Sequence, residues 1–303
     1  MSFTSTVKDE LSKLKIDSVE ALSELSAIIH SAAEIKDTIT VTTENNSVAR
    51  RVYSFMKNLY NVHPKITIRR GYNYSKKLLY ILEIKNRCEF ILKDLGITQT
   101  KPEDFIISDD DLTRAYLRGV FLMNGSINDP KTSRYHLEFN LNKREYAEFI
   151  ASLLNSYHLN SKVLHRDNSY MVYIKEAEKI GDFLRMMGAS NAVLYYEDIR
   201  IYRDHKNMTN RLNNCEQANV DRIIETSNQQ VNDIKLIESI SGLDLLDEKE
   251  QEAATYRLKY RDASLLELSE IISLETGHKI TKSGLYHRFH KIKQLADKIR
   301  AKK

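Results

Sequence analysis

Glycine, cysteine and long apolar runs are all scarce in this chain, and each shortage removes a class of protein. The nine glycines among 303 residues form no G-x-G-x-x-G turn and no Walker A loop, so no nucleotide or other cofactor is expected. The two cysteines, Cys88 and Cys215, lie far apart, and neither has a Cys or His neighbour at zinc-ligand spacing. No metal site is expected from them. Cys88 sits in an apolar-periodic stretch and reads as core, whereas Cys215 lies in a polar segment. No apolar run is long enough to cross a bilayer and no secretory leader is recognisable, which predicts a reduced, cytoplasmic setting without membrane contact. Excess charge is small too. A formal net charge of +4 does not announce a nucleic-acid partner, so the distribution of charge matters more than its total.

What is present is an ordinary globular composition, 42% hydrophobic and 29% charged, in a chain long enough for two domains. The first two hundred or so residues contain an internal repeat. Tyr80-Ile81-Leu82-Glu83-Ile84-Lys85 matches Tyr170-Met171-Val172-Tyr173-Ile174-Lys175, and each strand-like run precedes a helical pattern that closes on Gly96 or Gly188. Upstream, a strand and a helix recur at 39–43 and 47–61, then at 136–141 and 143–158. A further strand lies at 65–69 in one copy and 162–166 in the other. Each half thus reads helix, strand, helix, two strands, helix. In the first half only Glu34 to Thr38 separate the opening helix from its strand, which leaves little room for a hairpin and predicts a trimmed sheet.

The opening helices carry matching nonapeptides, Leu25-Ser26-Ala27-Ile28-Ile29-His30-Ser31-Ala32-Ala33 and Leu117-Arg118-Gly119-Val120-Phe121-Leu122-Met123-Asn124-Gly125. Small residues stand at the third and ninth positions of both, as two closely packed helices require. Alone, either nonapeptide would read as an ordinary buried amphipathic helix. Together with the repeat and the element order, they resemble the signature helices of LAGLIDADG homing endonucleases. That resemblance implies a metal-binding aspartate at the eighth position, where this chain has Ala32 and Asn124. Neither is a useful ligand for a hard cation.

After residue 202 the pattern changes to a polar linker helix, dense in asparagine between Asn210 and Asn219. A thin apolar stripe follows at Val220, Ile223, Ile224, Val231, Ile234 and Ile237. Asp247 with Glu250, and Ser264 with Glu267, are capping boxes that open two short helices. The second has Leu265, Leu268, Ile271 and Ile272 on its packed face. Gly277 permits a turn, and Thr281 caps a third helix with Leu285, Phe289, Ile292 and Leu295 inward. Two short helices, a glycine turn and a basic helix make a helix-turn-helix, although the stretch from Ser273 to Ile280 is longer than the shortest such turns. Charge is polarised here. Nine Lys or Arg face Asp297 alone from Gly277 to Lys303, while Leu243 to Glu275 holds nine acids against four bases.

Residues near the start of such a third helix reach base edges, and flanking cations take phosphates. The expected DNA-contacting residues are Lys282, Ser283, Tyr286, His287, Arg288, His290, Lys291 and Lys293, joined by Ser264, Lys279 and Thr281 at the helix starts and turn. A solubilising tail would look similar in charge alone, and Tyr286, bordering the apolar stripe, could itself be core. His287 and His290 lack a nearby third ligand for a metal.

The acid-free duplication, the Asn210-to-Asn219 run and the segment Lys282-Ser283-Gly284-Leu285-Tyr286-His287-Arg288 together resemble the WhiA family of bacterial regulators over nearly the whole chain. The resemblance implies a non-enzymatic DNA-binding transcriptional regulator tied to cell division, chromosome segregation or sporulation. The expected fold is α+β, a degenerate duplicated LAGLIDADG-like domain of αβαββα repeats followed by an all-α helix-turn-helix domain. Boundaries are expected at 1–97 and 98–201 for the repeats, 202–241 for the linker and 242–303 for the reader. The partner the resemblance implies is double-stranded DNA at the nucleoid; neither a protein partner nor an oligomeric state is specified.

Two alternatives stay open at this point. A residual endonuclease would need other acids, such as Asp109, Asp110 or Asp111, which more simply cap the helix they precede. A protein-interaction platform would leave the basic residues Arg50, Arg51, Arg69, Arg70, Lys76 and Lys77 as a solvated sheet edge.

Overall fold

In the computed structural model, which describes residues 2–70, 78–98, 100–132 and 134–301, the chain divides into two compact units, Met1–Asp204 and His205–Lys303. Lys76, Lys77, Lys302 and Lys303 lie outside the described residues.

The first unit begins with helix α1 (Phe3–Leu11) and then runs through two copies of one plan. The first copy is α2 (Ser18–Ala32), β1 (Glu34–Ile35), β2 (Ile39–Thr43), α3 (Asn46–Tyr60), β3 (Lys65–Arg70), β4 (Leu78–Ile84) and α4 (Cys88–Asp94). The second copy is α5 (Asp110–Asn124), β5 (Gly125–Ile127), β6 (Leu137–Leu141), α6 (Arg144–Ser156), β7 (Lys162–Arg166), β8 (Ser169–Ile174) and α7 (Ala177–Met187). Both sheets are antiparallel, ordered β1-β2-β4-β3 and β5-β6-β8-β7. Each copy therefore has one strand more than the αβαββα pattern. The expected trimming is real but stops short of removing the hairpin, since Glu34 pairs with Thr40 and Ile35 with Ile39. Strands this short display no alternation to read.

Apolar alternation fixes the buried face of each sheet. Ile39 and Val41 in β2, and Leu137, Phe139 and Leu141 in β6, are buried beneath the helices. Between the sheets' helical faces lie α2 and α5, opened by Asp17 and Asp109 as N-caps. Both helices stop at the eighth nonapeptide position, Ala32 and Asn124, and the ninth residue of each turns to extended backbone. Leu25, Ile28 and Ile29 are fully buried, as are Leu117, Val120 and Phe121, each such side chain contributing about 1.5–3 kcal/mol by leaving water. The backbones come close at Gly119, where a Cβ would stand 2.4 Å from the Glu24 carbonyl oxygen and 2.8 Å from the Ala27 Cβ.

A buried ionic cluster crosses the same seam. Glu24, fully buried, accepts from Arg118 Nε at 2.7 Å and from Arg51 Nη2 at 2.9 Å, and Arg51 Nη1 reaches the Leu14 carbonyl at 2.8 Å. Arg51 thus corrects the expectation of a solvated sheet edge: it lies on α3 with 6% exposure. Arg50 is exposed on α3, while Arg69 and Arg70 are exposed on the edge strand β3.

Helix α8 (Ser190–Ser241) contributes Ala192 and Tyr196 to the first unit's core. In the second unit its apolar stripe divides: Val220, Ile223 and Ile224 are exposed, whereas Ile234 and Ile237 join a separate core with α9 (Glu248–Lys259), α10 (Leu265–Thr276) and α11 (Lys282–Arg300).

Candidate nucleic-acid interface

Both expected capping boxes form. Asp247 accepts from Glu250 N at 2.8 Å while the Glu250 carboxylate accepts from Asp247 N at 3.2 Å. Ser264 and Glu267 do the same, at 3.2 Å and 2.7 Å. Helix α10 continues to Thr276, so the turn is Gly277 to Thr281, shorter than the sequence suggested. Gly277 adopts the left-handed conformation, φ +73°, that ends the helix. Ser273 holds the turn: its hydroxyl accepts from Ile280 N at 2.9 Å and donates to Ser269 O at 2.6 Å.

Thr281 caps α11 by accepting from Gly284 N at 3.1 Å, and Leu285, Phe289, Ile292 and Ala296 anchor the helix to α9 and α10. This anchoring leaves Lys282, Ser283, Tyr286, His287, His290 and Lys293 exposed, with Lys279 exposed in the turn. Tyr286 is 56% exposed and is not core. Its ring stacks on His290 with centroids 6.2 Å apart and meets His287 edge-on at 5.8 Å. One stripe of α11 thus presents lysine, hydroxyl, aromatic and imidazole groups from its first turn onward. Such a mixture suits base edges and phosphates alike.

Two expected contacts are placed differently. Arg288 is turned inward, donating to Glu252 at 2.6 Å and to the Lys249 carbonyl at 3.1 Å. Lys291 is exposed but pairs with Glu250 at 3.3 Å and Asp247 at 3.5 Å. The Glu250 hydrogen bond, with the charge of Asp247, raises the Lys291 pKa. Ser264 and Thr281 spend their oxygens first on helix caps. Sequence reading also missed Arg222 and Arg257, which meet Ser264 and Lys282 around one cavity of about 360 Å³. Neither arginine belongs to the third helix: Arg222 lies on α8 and Arg257 on α9, outside the periodic pattern of α11.

The eighth nonapeptide positions hold Ala32 and Asn124, neither of them an acid. Asn124 Nδ2 donates to Asn140 O at 3.0 Å, with Ser31 O at 3.5 Å, and the Ala32 methyl has no donor atom. Asp109 caps α5 by accepting from Leu112 N at 2.9 Å, and Asp110 pairs with Arg114 and accepts from Tyr157 at 2.6 Å. Asp109 thus serves its own helix, while Asp110 also ties the start of α5 to the end of α6. Nearby, His30 Nδ1 lies 3.0 Å from Tyr116 Oη, which lies 3.0 Å from Tyr146 Oη. Burial, aided by the charge of Lys143, lowers the His30 pKa to about 4, so this imidazole is neutral.

Comparison with known proteins matches three family models in chain order. The WhiA N-terminal LAGLIDADG-like domain matches residues 18–98, the WhiA LAGLIDADG-like domain 113–206, and the WhiA C-terminal HTH domain 209–296. A "Probable cell division protein WhiA" from Staphylococcus saprophyticus is 42% identical, covering 99% of this chain and 98% of its own. A protein of the same name from Lactiplantibacillus plantarum is also 42% identical, covering 99% of each chain. Among solved structures, full-length WhiA from Thermatoga maritima is 25% identical with a TM-score of 0.59, covering 98% of this chain and 99% of that one. The three models follow the chain in order and the relatives match it nearly end to end, so the chain, with its duplicated sheets on a paired-helix seam and its helix-turn-helix, belongs to the WhiA family.

Proposed function

We propose that this chain is a DNA-binding transcriptional regulator that does not cleave DNA, acting in the cytoplasm at the nucleoid. One observation carries it: the exposed stripe of α11, from Lys282 and Ser283 through Tyr286 and His287 to Lys293, stands free of the core that anchors the opposite face. The start of α11 reads base edges in the major groove, while Lys279 and Lys293 take phosphates. Arg288 serves this reader from within by fixing α11 to α9 through Glu252. The names of the full-length relatives support a role in cell division, and chromosome segregation or sporulation-type programmes are its extension.

The test replaces Lys282, Ser283 and His287 together by alanine and measures binding to DNA selected from genome-wide mapping of the wild-type protein. Preference for the selected sites over random duplex should vanish, while binding to both should weaken as salt rises. Unchanged preference would remove α11 as the reader. Incubation of wild-type protein with duplex DNA and Mg²⁺ tests the rest, because site-specific nicking abolished by EDTA would overturn the non-enzymatic assignment.

A further inference from the structure

We propose that the helical unit binds a phosphate-type oxyanion in the cavity between α8 and the start of α10, with Arg222, Arg257 and Lys282 as its cationic ligands. Arg257 supplies the starting observation. It lines the cavity with only 1% exposure. Its Nη1 donates to the carbonyls of Ala263 at 2.6 Å, Tyr260 at 3.3 Å and Arg261 at 3.4 Å, while its Nε is buried without a hydrogen-bond partner. Among the described residues no carboxylate pairs with it. Its guanidinium also lies over the Phe289 ring, 5.4 Å from the centroid. A cation withdrawn from water and faced only by backbone dipoles and a ring is costly unless a counter-charge arrives.

The surroundings fit an incoming anion. Arg222 reaches the cavity from α8 and Lys282 from the first position of α11; neither has an ion-pair partner among the described residues. Helix α10, twelve residues long, begins at the cavity with Ser264, Leu265 and Leu266, so the positive end of its dipole and its first free amides lie there. Among the described residues no acid lines the space. The acids closest in sequence are Asp221, which neighbours Arg222 and accepts from Gln217 Nε2 at 2.8 Å, and Asp262, beside Ala263. Glu225 follows one turn along α8, and Glu267 already accepts from Ser264 N; none of the four lines the cavity. Ile223, Leu265 and Leu266 give the remaining wall an apolar character that accommodates a sugar attached to the phosphate.

Two sources carry this chemistry, a phosphodiester of the DNA backbone and a free phosphate. Because Lys282 both lines the cavity and opens the exposed stripe of α11, the DNA backbone is the source the geometry favours. That choice of source rests on the DNA-binding function proposed above, but the site itself does not. Helix α8 then contributes to DNA contact through Arg222 and is not a mere connector.

The experiment uses the full chain, wild type and Arg222→Ala, in two arms. In the first, fluorescence anisotropy with random-sequence duplex DNA is repeated over a range of salt. Loss of one phosphate contact should weaken binding several-fold and flatten the slope of log K against log salt by about 0.9. In the second, thermal unfolding is compared in inorganic phosphate and in chloride of equal ionic strength. Phosphate should raise the midpoint of the wild type more than that of the variant. If wild type binds DNA while Arg222→Ala matches it in slope, affinity and phosphate response, the oxyanion site is overturned and the DNA-binding function stands. If wild type fails to bind DNA but phosphate protects it through Arg222, the site stands with a free phosphate as its ligand, and the DNA-binding function falls.

Discussion

Replacing Gly119 by alanine tests whether the nonapeptide helices are kept for their close approach, because two effects of opposite sign compete. Helix propensity alone favours alanine by about 1 kcal/mol in a helix interior. Against it, the added methyl would stand 2.4 Å from the Glu24 carbonyl oxygen and 2.8 Å from the Ala27 Cβ. A carbon and a carbonyl oxygen need about 3.3 Å even in their closest regular contacts, so α2 and α5 must part by roughly 1 Å. The obstructing atoms are backbone and a methyl group, which have no rotamer with which to yield. Overpacking of this kind costs up to about 3 kcal/mol, leaving a net loss of about 2 kcal/mol. For a unit of this size that lowers the midpoint by about 4–8 °C, readable by calorimetry on the full chain as a shift in the transition of the first unit. A midpoint that is unchanged or raised would refute the reasoning, since propensity would then have won.

Three further perturbations follow from buried or capping groups. Glu24→Gln leaves the guanidiniums of Arg51 and Arg118 without their shared counter-charge, and urea denaturation should show a loss of about 3–5 kcal/mol; a loss under about 1 kcal/mol would mean the cluster is effectively solvated. His30 has a folded pKa near 4, below its unfolded value near 6.5, so the unfolded chain takes the proton first. The His30 contribution should be flat above neutrality and fall by up to about 1.4 kcal/mol per unit as pH drops from 6.5 toward 4. His30→Gln should remove that slope, and an identical slope in the variant would clear His30 of the effect. Ser264→Ala and Asp247→Ala each remove one helix cap and should cost the helical unit about 1 kcal/mol; the corresponding glycine variants should lose less, and equal losses would argue against a capping role.

Much of the architecture was visible in the sequence because it rests on periodicity and repetition. The strands at 39–43 and 162–166 and the caps at Asp247, Ser264 and Thr281 all lie where local pattern put them. What escaped was short or non-local. Strands β1 and β5 have too few residues to alternate. The partners of Arg288 and Lys291 lie on α9, so the periodicity of α11 could not distinguish cations facing solvent from cations tied to Glu252, Asp247 and Glu250. Glu24 gave a weak clue, an acid between Ser23 and Leu25 on a face that is otherwise small or apolar. Its pairing with Arg51 and Arg118 required the fold. Arg257 gave none, since only tertiary packing buries it.

At Asn124 the amide is more than a missing acid. Its Nδ2 donates to Asn140 O at 3.0 Å and points toward Ser31 O at 3.5 Å, tying the end of α5 to β6 and to α2. A carboxylate cannot donate. Asn124→Asp would therefore aim a negative charge at two carbonyl oxygens, losing the hydrogen bond and adding repulsion, with Ala32 offering no second acid to share a metal ion. The expected cost near pH 7.5 is about 1–2 kcal/mol. Those same carbonyls raise the new carboxyl's pKa, and once protonated it can donate to Asn140 O. The penalty relative to wild type should thus be smallest below the unfolded carboxylate pKa, near 4, and grow as pH rises through the folded value. Denaturation of both proteins across that range, with and without Mg²⁺, separates the two views of this position. Restored stability with Mg²⁺ would mean a dormant metal site, whereas a penalty indifferent to Mg²⁺ means the seam has come to depend on an amide.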